Sequence, residues 1–136
     1  MRFIFPLFIL AYSLAAAEPG ETVFENHCAK CHVKELGRAE TLRRLGTLKA
    51  PPMIEVSNRL KSHIMIKGGD EDVHRGVVIA FIKHYIEYPD IMIGMCNPGA
   101  MERFGEMPSL KGKLSETEKQ AVAEWVYDHF EGKKFE

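Results

Sequence analysis

Apolar residues along this chain recur every three to four positions and almost nowhere alternate, a pattern that predicts helices and no sheet. The first helix is expected over residues 20–31, with Phe24 facing inward. An amphipathic segment from Ala39 to Leu48 follows and is stopped by Pro51-Pro52, because neither proline donates a backbone hydrogen bond and each restricts the residue before it. Helical spacing resumes from Met53 to Ile66 through Val56, Leu60 and Ile64, and Gly68-Gly69 is expected to end that element. Asp70 is placed to cap the strongest internal helix, whose Val73, Val77, Phe81, Ile82, Tyr85 and Ile86 form an apolar stripe expected to be core, closed by Pro89. Glycine and proline punctuate Asp90 to Leu110, which reads as loop with a short helix at Pro98 to Phe104. Ser115 with Glu118 three residues on forms a capping box for a last helix, lined by Ala121, Val122, Trp125, Val126 and His129 or Phe130. The fold class is therefore all-α.

The N-terminus has a different pattern. Arg2 precedes an apolar run from Phe3 to Leu14 and then Ala15-Ala16-Ala17, the order of an export signal with a small-residue cleavage site. The run is short for a bilayer span, so cleavage after Ala17 is expected, with a retained anchor as the alternative. Residues 1–17 are read as signal peptide and 18–136 as one domain, exported to the periplasm, with no membrane span after cleavage. With Arg2 set aside, that domain carries 17 Lys and Arg against 19 Asp and Glu, which gives no footprint for nucleic acid. Charge is uneven, however. From Lys30 to Lys49 six bases (Lys30, Lys34, Arg38, Arg43, Arg44, Lys49) meet two acids (Glu35, Glu40), a basic rim where a partner protein is expected to dock if it is more than a solvated face.

The densest chemistry is Cys28-Ala29-Lys30-Cys31-His32. Two thiols three positions apart, followed at once by an imidazole, suit covalent haem: the sulfurs add to the two vinyl groups of one porphyrin edge, and His32 falls beneath the iron. A thiol oxidoreductase would place such a pair in a strand–helix unit, and zinc would need a second close pair, which the chain lacks. One covalent haem c per chain is expected. Export and CxxCH support each other, since this haem is attached outside the cytoplasm.

These motifs, together with Gly20 and Phe24, Met107-Pro108 and Glu124-Trp125-Val126 in that order, resemble the class I monohaem c-type cytochromes. The resemblance implies a cytochrome c-like fold of helices wrapped around the haem. Residues from about 54 to 95 are longer than in the smallest members, implying a lengthened helical middle. It also implies that Met107, in Phe104-Gly105-Glu106-Met107-Pro108-Ser109-Leu110, is the second axial ligand, with Met101, Met95 or a histidine as alternatives, of which His84 is the one to watch. Pro51 or Pro52 would offer a carbonyl to His32, unless the pair only stops a helix. Arg59, Lys61, Tyr85 and Trp125 are undivided candidates for a haem propionate. Cys96 is the odd thiol, expected to be buried beside Met95. The expected function is one-electron transfer between redox partner proteins, without catalysis by the chain itself. A haem enzyme or gas sensor with an open sixth site, or a haem subunit of a respiratory complex, are the other readings.

Overall fold

The computed structural model describes residues 17–136. The signal-peptide reading, apart from Ala17, lies outside the described residues. Six helices and no strand are found among those described: α1 (Pro19–His27), α2 (Arg38–Arg44), α3 (Met53–His63), α4 (Glu71–Glu87), α5 (Pro98–Phe104) and α6 (Glu116–Asp128).

Gly20 decides how the two ends of the domain meet. A Cβ built there would lie 2.2 Å from the Ala121 carbonyl oxygen and 2.3 Å from Trp125 Cβ, so α1 and α6 approach backbone to backbone through the missing side chain. One turn further on, Phe24 stacks on Trp125 with centroids 4.7 Å apart. Trp125 in turn meets Phe130 edge-on at 5.6 Å. Both phenylalanines are fully buried. Val78, Ile79 and Ile82 of α4 close this core against Val122 and Val126 of α6, and Leu60 of α3 belongs to it.

Ends of helices are tied off by neighbouring chain, and those ties shape the site. Asp70 accepts from Val73 N at 2.9 Å, as its N-cap position requires. The Ser115–Glu118 capping box is complete. At the start of α3 no side chain caps the helix; instead Met53 N donates to Val33 O (2.8 Å) and Ile54 N to Lys34 O (3.1 Å), which draws the segment after His32 onto the helix start.

Several expected boundaries shift. The cysteines are not in the last turns of α1: the helix ends at His27, Cys28 is its C-cap, and Cys31 and His32 occupy the following turn. The second helix closes at Arg44 rather than Leu48, with Thr47 N and Leu48 N both turning back to Arg44 O. α3 stops at His63, where Ile64 goes extended, five residues before the Gly68-Gly69 pair expected to end it. Val73 and Val77 are not core but 48% and 42% exposed, because α4 turns Val78, Ile79 and Ile82 toward α6 instead.

Gly76 lies mid-helix on that outer face, with nothing within 4 Å of where a Cβ would stand. Gly76→Ala is expected to raise unfolding stability by about 1 kcal/mol in a urea titration, since alanine restricts the unfolded chain and meets no clash. A loss of stability would mean the face is covered.

Candidate haem-binding site

The turn after α1 is tight. Phe24 O accepts from Cys28 N (2.8 Å) and Ala29 N (2.9 Å), and Cys28 O accepts from Cys31 N (3.0 Å) and His32 N (2.9 Å). Cys28, Cys31 and His32 all line one cleft, whose volume with its open mouth is about 1350 Å³. Its walls are apolar: Val56 and Leu60 from α3, Phe81, Ile82, Tyr85 and Ile86 from α4, Val122 and Val126 from α6. The α4 stripe expected to be core alone therefore also forms a binding wall.

His32 Nδ1 lies 2.8 Å from Pro51 O. A carbonyl only accepts, so Nδ1 carries the proton and the neutral ring keeps its Nε2 lone pair free. Burial lowers the His32 pKa, against the Pro51 hydrogen bond that raises it, and this favours the neutral, ligating form. The proximity follows from the fold: Val33 and Lys34 are held to the start of α3, directly after Pro51-Pro52. Pro52 is fully buried at the N-cap of α3 and makes no such bond to His32. Burial, and secondarily the Cys31 charge, pushes the Cys28 thiol up to about 11. A catalytic redox thiol needs the opposite shift, so thiol chemistry fits this pair poorly.

Met107 reaches the same cleft from the far end of the chain. Its loop is anchored because the last carbonyls of α4 need donors: Leu110 N supplies Ile86 O (2.8 Å) and Ser109 Oγ supplies Glu87 O (2.7 Å). Gly105 turns into the loop with φ +68°, a left-handed value that favours glycine. Met53, Met95 and Met101 line the cleft too. Met53 is a buried core residue and Met95 packs against that core. The Met101 methyl is seated over Gly94, 2.7 Å from where a Cβ would be. Of the histidines, only His32 lines the cleft among the described residues. His84 is exposed on α4 and stacks on Tyr88 at 5.3 Å.

The four propionate candidates separate. Arg59 and Tyr85 line the cleft, Lys61 pairs with Glu131 at 3.0 Å, and Trp125 lies in the core outside it. Arg59 donates to Met95 O at 3.1 Å and meets no carboxylate among the described residues. Glu55, which no sequence pattern marks, also lines the cleft; burial raises its pKa while Arg59 and Arg38 lower it. Cys96 is half-buried on the cleft wall, its thiol pKa raised by burial and then by the Glu55 charge. Among the described residues no group of three or more His, Cys, Asp or Glu side chains is arranged to hold a metal ion. The donor set matches haem: two thiols, an imidazole with a free nitrogen and a thioether on one large apolar cleft.

Helical architecture with a CxxCH turn on such a cleft defines a c-type cytochrome. Residues 15–126 match the family model described as cytochrome C oxidase, cbb3-type, subunit III, and the chain belongs to that family. A relative in Aquifex aeolicus (strain VF5), named only "Uncharacterized protein", is 34% identical over 134 residues, covering 92% of this chain and 81% of its own. No solved structure matches. Family membership carries haem c and a haem-based electron-transfer role. No helix of the described residues is long and apolar enough to cross a membrane.

Proposed function

We propose that the chain is a periplasmic electron carrier holding one haem c, bound covalently through Cys28 and Cys31, with His32 and Met107 on the iron. The observation that carries this reading is the convergence of both thiols, a single histidine and the Met107 loop on one apolar cleft. The haem supplies a one-electron iron couple. The residues of the chain hold and tune it: Pro51 O orients His32, the α4-anchored loop presents Met107, and the α3, α4 and α6 walls exclude water. Two filled axial positions leave little room for dioxygen or peroxide, which favours transfer over catalysis. Arg2 and the Phe3 to Leu14 run support export.

Two observations favour a second reading, a haem subunit held in a larger oxidase assembly: the description of the matching family, and the exposed Val73 and Val77 on the outer face of α4. In the carrier reading, the exported protein runs as a soluble monomer, carries the mass of one haem that survives denaturation, and shows a single reversible one-electron wave. Recovery of the native protein only together with a membrane oxidase would favour the subunit. An absence of covalent haem would end both readings.

A further inference from the structure

We propose that α2 and the turn after it form the docking face for an acidic redox protein, a proposal that rests on the haem reading above. Thr41 is the only buried residue of α2, while Leu42 is 63% exposed and Leu45 at the C-cap 36%, so the helix and its C-cap turn their leucines outward. Cations surround them. Arg44 and Lys49 form no ion pair among the described residues, whereas Arg43 is paired with Glu40 and Arg38 lies within electrostatic reach of Glu55. From α5, Arg103 donates to Leu45 O (3.3 Å) and Gly46 O (3.2 Å), which fixes α5 to the turn and adds a cation that carbonyls do not neutralise. Glu136 lies at the start of α2, where Arg38 N donates to its carbonyl (2.7 Å), and Glu55 offsets Arg38, so the positive excess rests on Arg44, Lys49 and Arg103 against Glu102. Lys34, by contrast, is drawn off to Glu21 and Glu25 and leaves the basic rim.

The face is continuous with the haem cleft, because Lys49 lines the cleft and so do Met101 and Phe104, which flank Arg103 on α5. An apolar centre ringed by free positive charge complements a partner with an apolar spot inside a carboxylate rim, and docking there brings that partner to the cleft mouth. A membrane surface fits less well: a seven-residue helix with one exposed leucine, and a second at its C-cap, offers little apolar area to sink among headgroups.

Stopped-flow electron transfer between the haem-loaded protein and a small blue-copper protein with an acidic face tests this. Raising salt from about 10 mM to about 300 mM, which shortens the screening length from about 30 Å to under about 10 Å, is expected to slow the reaction at least about tenfold. Arg44→Glu is expected to lower the low-salt rate about fivefold and flatten the salt dependence. Leu42→Ser should lower the rate at both salt concentrations. Visible spectrum and midpoint potential should stay unchanged in both variants, which separates docking from folding and from the haem site. Salt-independent rates, or an unaltered Arg44→Glu rate with an intact haem spectrum, would overturn the face. So would salt-independent rates combined with co-sedimentation on phosphatidylglycerol vesicles that Leu42→Ser abolishes. A wild-type protein without haem absorption would overturn the underlying reading, and would be seen before any rate is measured.

Discussion

The double variant Cys28→Ser, Cys31→Ser is expected to lose both its covalent haem and its stable fold. Val56, Phe81 and Ile86 are half-buried on the cleft wall, while Leu60, Ile82, Val122 and Val126 line it from the protein's own core. Fully burying a side chain of this kind is worth about 1.5–3 kcal/mol, so the cover that haem adds to the three half-buried ones is a substantial share of the roughly 5–15 kcal/mol by which a whole domain is stable. Without a covalent anchor the haem can leave, and these half-buried wall residues lose its cover. The expected result is haem extractable by acid, weakened near-ultraviolet circular dichroism and rapid proteolysis. A double variant that unfolds cooperatively at the wild-type urea midpoint would show that the cleft does not depend on its cofactor.

Gly20→Ala carries the second large effect, although it adds one methyl group. The new Cβ would stand 2.2 Å from Ala121 O and 2.3 Å from Trp125 Cβ, and neither is the flexible end of a side chain. Relief requires α1 and α6 to separate, which loosens the Phe24–Trp125 stack and the start of the turn that holds Cys28. Overpacking typically costs about 1–3 kcal/mol, and a backbone clash belongs at the upper end, about 3 kcal/mol in a denaturant titration. Gly46→Ala is the control: nothing lies within 4 Å of its Cβ position, and little change is expected. Equal effects at the two glycines would contradict the close α1–α6 crossing.

Features of the fold that rest on local chemistry were legible in the sequence. The Ser115–Glu118 box, the Asp70 cap and the Pro98 to Phe104 helix depend on residues within one turn of each other, and all appear where spacing put them. Register was harder. Val73, Val77 and Phe81 share one helical stripe with spacing as good as that of Val78 and Ile82, and only the position of α6 decides which stripe is buried. CxxCH could be read because the chemistry fixes its spacing. The Met107 loop could be read as a resemblance, but its anchorage by Ser109 and Leu110 on α4 joins residues 22 to 24 positions apart and left no local signal. The seating of Met101 over Gly94 is likewise a product of tertiary packing. Glu55 carries no sequence signal of its own, because a carboxylate in the first turn of a helix reads as ordinary dipole compensation.

The most direct test of a haem closed by His32 and Met107 is the red-edge charge-transfer absorption of the ferric protein, which reports an iron–thioether bond. It should be present in wild type, persist in Met101→Ala and vanish in Met107→Ala, with carbon monoxide binding to the reduced form only in the last. A wild-type protein that is already high-spin and binds carbon monoxide readily, or a band that survives Met107→Ala, would contradict the account.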